Sequence, residues 1–150
     1  MTTKSSGFTL VELLVVVAIL GIIAAVGIVS YNGYVTSAKK TSAKNIMQQI
    51  SLGQTEYYSD NGSYYMSNNS SSCSPSDSTS NAIETNLLGG SDSITEEVGY
   101  NICVVTDASN YKIFAKEVGG TCELPLLANG RFTPPEGKNC EFNHHEFRRY

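Results

Sequence analysis

The strongest constraint on this chain is one apolar segment near its beginning, residues 8–29. Only Thr9 and Glu12 are polar among these 22 residues. An α-helix of that length is about 33 Å long, which is enough to cross the hydrocarbon core of a bilayer. A secretory signal peptide has a shorter apolar core, of about 7 to 15 residues, followed by a small-residue cleavage site. The sequence has no such site after the segment, so we predict a membrane-spanning helix.

Glu12 is the unusual residue of this segment, because a carboxylate is costly in the bilayer interior. The cost is smaller near the start of a helix, where the helix dipole favours an acidic side chain. Two interpretations of Glu12 therefore stand side by side. It is either an acid tolerated at the helix start or a carboxylate that pairs with an amine close by.

The residues around Glu12 carry a family resemblance. Positions 4–13 read KSSGFTLVEL, and this string resembles the cleavage and methylation signature of type IV pilins. The resemblance implies that a prepilin peptidase removes a leader, residues 1–7, by cutting between Gly7 and Phe8, and then methylates the amine of Phe8. It also implies that Glu12 neutralises the Phe8 amine of a neighbouring subunit during assembly. Many members of the family have a proline where this chain has Val29.

Beyond the span, residues 30–60 place apolar side chains at helical spacing between polar ones. This pattern predicts an amphipathic continuation of the same helix, which ends at a turn signal formed by residues 60–62. A basic cluster on it is either a solvated helix face or a contact with membrane phosphates; its members are Lys39, Lys40 and Lys44. Tyrosines near the helix end are predicted to pack in the core, with a surface stacking platform as the alternative; they are Tyr57, Tyr58, Tyr64 and Tyr65.

The rest of the chain changes from loop to strand composition. Residues 61–97 are rich in Ser, Asn, Gly and Asp, which predicts a long loop without structure of its own; in pilins it would be the variable connection between helix and sheet. Residues 98–106 and 111–118 flank a turn signal, and residues 121–127 follow two glycines. This predicts three or four antiparallel strands. The expected fold class is α+β, with the amphipathic half-helix covering one sheet face, as in the pilin architecture.

The four cysteines indicate disulfides formed outside the cytoplasm rather than a zinc site, because none has CxxC spacing. Four cysteines permit three pairings, and the residues alone leave all three open. The resemblance implies a bridge that staples the carboxyl-terminal loop to the sheet, which assigns Cys122 to Cys140 and leaves Cys73 with Cys103. The sheet and this loop together would occupy residues 98–142.

Composition and motifs exclude several classes of function. The net charge of −4 with ten Lys and Arg residues argues against a dedicated nucleic-acid binder, although a local basic patch is compatible with it. The sequence contains no GxSxG or P-loop motif, so we predict no enzyme activity, cofactor or metal. The tail, residues 143–150, contains two histidines that are poorly placed to chelate a metal ion. Its aromatic and arginine residues are expected to be disordered or to contact DNA or a host surface.

These features predict the precursor of a type IV pilus subunit. It would reside in the inner membrane, meet the prepilin peptidase and the pilus assembly machinery, and then polymerise with copies of itself into an extracellular filament. The filament would serve adhesion, twitching motility or DNA uptake. One alternative is a pseudopilin of type II secretion, although no tight Asp cluster follows Asp107. Another is a single-span anchored binding module, which would keep residues 1–7.

Overall fold

The structure is a computed structural model that describes residues 7–68, 72–90, 92–94, 98–107 and 109–134. It contains two helices, α1 (Leu10–Asn61) and α2 (Asp77–Leu87). Three strands follow, β1 (Tyr100–Asp107), β2 (Asn110–Glu117) and β3 (Glu123–Leu127). The chain divides into two compact units, residues 1–38 and residues 39–150, and α1 contributes to both. We call the second unit the head.

In the first unit, α1 is long and apolar enough to cross a membrane. Its large apolar side chains are exposed, as at Leu13 (61%), Ile22 (68%) and Val26 (67%). Burying such a side chain is worth about 1.5 to 3 kcal/mol. This surface therefore requires a bilayer or another protein chain to cover it, in agreement with the predicted span.

In the head, α1 packs on a three-stranded antiparallel sheet with the order β1-β2-β3. The helix buries one stripe, formed by Ala43, Met47 and Ile50, at the spacing of one helix face. The sheet buries alternate residues against it, such as Val104, Ile113 and Leu126, which are neighbours across the strands. The predicted α+β class and the pilin-like helix-on-sheet arrangement are thus confirmed. We call the side of the sheet away from this core the outer face.

The boundaries of the elements agree closely with the sequence. Helix α1 ends at Asn61, and Gly62 follows with a φ of 69°, the left-handed conformation that glycine adopts readily. Strand β1 begins at Tyr100, two residues after the predicted start, and β3 begins at Glu123 instead of residue 121. Of the four tyrosines predicted to pack in the core, Tyr64 and Tyr65 do so, whereas the prediction is wrong for Tyr58, which is 47% exposed.

Helix α2 corrects the prediction of a long loop without structure of its own. It begins after Ser76, whose hydroxyl accepts a hydrogen bond from the Thr79 amide while the Thr79 hydroxyl accepts one from the Ser76 amide. Such a reciprocal cap satisfies two amides that the first turn leaves unpaired. Ile83 anchors the helix in the core. The carboxyl-terminal end of α2 lies close to α1: a Cβ added at Gly53 of α1 would be 2.8 Å from the carbonyl oxygen of Leu87 in α2.

The segment before α2 and the helix itself cover the free edge of β1. The Thr79 hydroxyl donates to the Ile102 carbonyl (2.8 Å), and the Ser80 hydroxyl accepts from the Ile102 amide (3.0 Å). Ser67 makes a similar pair with Val104, through its amide and its hydroxyl. An uncovered strand edge invites pairing with other chains. Side-chain hydroxyls here occupy the edge positions that another strand would use.

The predicted Cys73–Cys103 disulfide is confirmed. It ties the serine-rich segment to the middle of β1, where Cys103 is fully buried. Cys122 is also disulfide-bonded. Its predicted partner Cys140 lies outside the described residues, as does the tail 143–150, so that pairing stays a prediction.

Candidate functional sites

The predicted processing site precedes α1. Phe8 is 81% exposed, and a Cβ added at Gly7 would meet no atom within 4 Å. No packing contact among the described residues therefore requires glycine at position 7.

Glu12 has a role within its own chain. Its Oε2 accepts hydrogen bonds from the Thr9 amide (3.0 Å) and the Thr9 hydroxyl (2.7 Å). In return, the Glu12 amide donates to the Thr9 hydroxyl oxygen (3.3 Å). Thr9 and Glu12 thus form a capping box at the start of α1. This role was not predicted from the sequence, although a Thr followed three residues later by Glu, just before an apolar run, is the signature of a capping box.

The outer face of the sheet is a second candidate site. Along β2, the buried residues alternate with Lys112, Phe114 and Lys116, which are exposed or half-buried. Side chains on a strand alternate between its two faces, so these three share the outer face. In the strand register, Lys112 lies between Val105 of β1 and Leu127 of β3.

Arg131, which follows β3 in the chain, is a third cationic residue on this face. The chain turns at residues 128–130 and runs back beside β3, where Leu126 pairs with Phe132 and the Leu127 amide donates to the Arg131 carbonyl (3.0 Å). Arg131 is exposed and lies in the same cross-strand row as Lys112. With neighbouring strands about 4.8 Å apart and a rise of about 3.4 Å per residue, the Lys112 Cα lies about 10 Å from that of Arg131 and about 14 Å from that of Lys116.

A concavity of about 520 Å³ opens on this face beside the β1–β2 turn. Its apolar lining includes Val105, Phe114 and Leu127, and its polar lining includes Lys112, Asn110 and Asn129. Thr106, Tyr111 and Ala128 also line it. We call this concavity the outer-face cleft.

The basic cluster on α1 lies elsewhere in the head. Lys44 Nζ is 5.7 Å from the centre of the Phe132 ring, and the side chain of Lys39 lies against Gly99. These lysines are therefore partly engaged with the head itself. Among the described residues, no group of three or more His, Cys, Asp or Glu side chains could hold a metal ion.

Two comparisons with known families cover most of the chain. Residues 2–28 match the family model described as the prokaryotic N-terminal methylation motif. Residues 29–123, which are more than half of the chain, match the model described as the type IV minor pilin ComP, DNA uptake sequence receptor. No curated protein matches the chain.

Proposed function

Since the chain belongs to the type IV minor pilin family ComP, whose members are described as DNA uptake sequence receptors, we propose that it binds duplex DNA from within a type IV pilus. The chain is a type IV pilin precursor with an amino-terminal methylation motif. The match to a minor pilin family favours a pilus subunit over a secretion pseudopilin. It also favours DNA uptake over adhesion or motility as the role of the filament.

The proposed processing follows the amino-terminal motif. Prepilin peptidase cuts between Gly7 and Phe8 and methylates Phe8, and the precursor leaves the inner membrane to enter the filament. The exposed apolar surface of α1 supports this step, because neighbouring helices can replace the lipid that covers it. Glu12 then pairs with the Phe8 amine of the next subunit. An anchored binding module would instead keep residues 1–7, so mass spectrometry of the protein from its host separates the two.

The proposed DNA contact is the outer face, and the observation that carries it is the clustering of Lys112, Lys116 and Arg131 on one side of the sheet of a chain in this family. Phosphate affinity is built from such local clusters of basic residues. The acidic net charge, which argued against nucleic-acid binding, describes the whole chain and not this face. Glu123 is paired with Lys116 in the strand register and reduces the net positive charge at that end of the face.

The test compares two double variants with the same charge change. Lys112→Gln with Lys116→Gln removes two cations from the outer face, whereas Lys39→Gln with Lys40→Gln removes two from α1. Each exposed ion pair is worth up to about 1 kcal/mol, so the first variant should bind up to about 30-fold more weakly. The second variant should bind as the wild type does.

The assay is fluorescence anisotropy of labelled duplex DNA with full-length mature protein in detergent micelles. DNA uptake and filament number are then counted in cells that carry each variant. We expect the outer-face variant to form normal filaments and to lose DNA uptake. Equal loss of affinity in both double variants would refute the assignment of the outer face, and no binding by the wild type would refute DNA binding itself.

A further inference from the structure

An Asn-Gly pair lies in the exposed turn after β3. The sequence holds three such pairs, Asn32-Gly33, Asn61-Gly62 and Asn129-Gly130. Asn-Gly is the dipeptide in which asparagine deamidates most readily, because glycine has no side chain to hinder attack by its own amide nitrogen. Asn129 is exposed and lines the outer-face cleft together with Lys112. A change of its chemistry would therefore alter the charge of the outer face.

The side-chain oxygen of Asn129 is already hydrogen-bonded in a way that favours this reaction. Its Oδ1 accepts a hydrogen bond from the Arg131 amide at 3.0 Å. During deamidation, negative charge builds up on this oxygen while the next amide nitrogen attacks the side-chain carbon Cγ. A backbone donor aimed at an oxygen that becomes charged stabilises the transition state. The Arg131 amide thus activates Asn129 for attack.

The attacking nitrogen belongs to Gly130, which is exposed in the same turn. Its amide donates a hydrogen bond to the Leu127 carbonyl oxygen at 2.9 Å, and this bond must open before the attack. A single hydrogen bond of ordinary strength slows the reaction by only about 2- to 13-fold. The turn therefore restrains the attacking nitrogen weakly.

The two Asn-Gly pairs of α1 are held more firmly. Asn32 lies inside the helix, where rotation of ψ away from its helical value would break intrahelical hydrogen bonds. Asn61 is the last residue of α1, and its Nδ2 donates to the Tyr57 carbonyl oxygen (3.0 Å). The Gly62 amide donates to the Tyr58 carbonyl oxygen (2.9 Å). Both of these bonds must open together, so we expect the α1 pairs to react more slowly than the turn.

We infer that Asn129 modifies itself by cyclising onto Gly130 and becomes an aspartate or an isoaspartate as the subunit ages. The Gly130 nitrogen forms a bond to the Asn129 Cγ and gives its proton to the solvent. The bond from Cγ to Nδ2 breaks, and the side-chain nitrogen leaves as ammonia with a proton taken from the solvent. Water then opens the succinimide ring on either side of its nitrogen. The net change replaces a neutral amide by a carboxylate.

The new carboxylate weakens the proposed DNA contact, an effect that rests on the proposed function. It lines the cleft with Lys112 and repels phosphate. Isoaspartate also lengthens the main chain of the turn by one atom, which disturbs the short pairing of Leu126 with Phe132 that positions Arg131. Cancelling one cation should weaken DNA binding by up to about 5-fold. It should also make the slope of log Kobs against log salt concentration less negative by about 0.9.

Peptide mapping by mass spectrometry tests the modification itself. Full-length mature protein in detergent micelles is incubated at neutral pH and physiological temperature, and deamidation at the three Asn-Gly pairs is followed over time. Digestion in isotopically labelled water separates conversion during incubation from conversion during sample handling. We expect Asn129 to convert several-fold faster than Asn61 and Asn32, and the three rates to converge in denaturant. Equal rates in the folded protein, or faster conversion at Asn61, would overturn the assignment of this site.

DNA binding by the aged protein tests the consequence, with fluorescence anisotropy of a labelled duplex as the measurement. Asn129→Asp reproduces one product and should bind up to about 5-fold more weakly than fresh wild type. Asn61→Asp makes the same charge change at the end of α1 and should bind as the wild type does. Glutamine closes the corresponding ring slowly, so the affinity of Asn129→Gln should not decline during incubation, whereas that of the wild type should.

The outcomes separate the modification from the proposed function. Conversion of Asn129 without a loss of affinity would overturn the effect on DNA and leave the modification standing. An equal loss in Asn61→Asp, or a decline of Asn129→Gln during incubation, would also overturn that effect. No DNA binding by the fresh wild type would refute the proposed function together with the effect on DNA, while the mass spectra still decide whether Asn129 is modified.

Discussion

Removal of the Cys73–Cys103 disulfide tests how the serine-rich segment is held to the sheet. The bridge joins residues 30 positions apart in the chain. Without it, the segment and α2 keep their other attachments, which are the hydroxyl contacts of Ser67, Thr79 and Ser80 with the β1 edge and the burial of Ile83. The double variant Cys73→Ala with Cys103→Ala therefore isolates the contribution of the covalent link.

The expected loss follows from the entropy of the unfolded chain. Closing a loop of about 30 residues lowers that entropy by about 12 cal/mol/K, which is about 3.6 kcal/mol at 25 °C. Truncating the fully buried Cys103 side chain adds to the loss. Domains of this kind are stable by about 5 to 15 kcal/mol in total, so the variant should fold but lose a large part of its stability.

The assay is guanidinium denaturation followed by near-ultraviolet circular dichroism. The chain has nine tyrosines and no tryptophan, and the Tyr64 and Tyr111 rings lie 4.9 Å apart across the core. Their signal reports head packing, whereas far-ultraviolet signals are dominated by α1, which detergent stabilises. A loss below about 1 kcal/mol would refute the reasoning, because it would mean that non-covalent contacts already restrict this segment in the unfolded chain.

Three further predictions concern other parts of the molecule. Gly53→Ala should lower the thermal midpoint of the head, with a loss of about 1 to 3 kcal/mol, because the new Cβ would lie 2.8 Å from the Leu87 carbonyl oxygen; an unchanged midpoint would contradict that close approach. Burial raises the pKa of Tyr65 and of Tyr100, so the unfolded chain loses these protons first. Their contribution to the free energy of unfolding should be constant below pH of about 10 and fall as pH rises through the raised pKa values. Denaturation at several pH values measures this fall, and replacing both tyrosines by phenylalanine should reduce it. Finally, Glu12→Gln keeps the acceptor of the capping box but removes the charge, so it should be cleaved and methylated normally yet form no filaments; normal filaments by electron microscopy would contradict the pairing with the Phe8 amine.

The sequence predicted the elements whose signals are local. Helix α1 ends where residues 60–62 indicate a turn, and β1 and β2 flank the predicted hairpin turn because alternation of apolar residues reveals a half-buried strand. The Cys73–Cys103 pairing was also correct, although it rested on the pilin resemblance and not on spacing. The capping box of Thr9 and Glu12 has an equally local signature but was not predicted, because Glu12 was interpreted through the membrane, the helix dipole and the neighbouring subunit and not together with Thr9.

Helix α2 could not be predicted from local sequence, because contacts with distant residues stabilise it. Most of its residues, DSTSNAIETNL, are weak helix formers; the exceptions are Ala82, Glu84 and Leu87. The buried Glu84 in its last turn accepts hydrogen bonds from the amides of Ser93 and Ile94 at 2.6 and 2.7 Å. These partners lie nine and ten residues away, so only the folded head shows why the helix is stable.

The outer-face site was hidden for a different reason. Lys112 and Lys116 lie four residues apart in the sequence and Arg131 follows 15 residues later, with acidic residues between them, so the composition of the chain masks the cluster. The strand register and the turn after β3 bring them onto one face. A hairpin prediction alone could have placed Lys112 and Lys116 together, but the position of Arg131 depends on the short pairing of Leu126 with Phe132.

The salt dependence of DNA binding tests the central claim most directly. A protein that contacts three phosphates through Lys112, Lys116 and Arg131 should show a slope of log Kobs against log salt concentration of about −2.7 for duplex DNA. Replacing all three residues by glutamine should bring the slope close to zero in the full-length mature protein. A wild-type slope near zero, or an unchanged slope in the triple variant, would contradict the account.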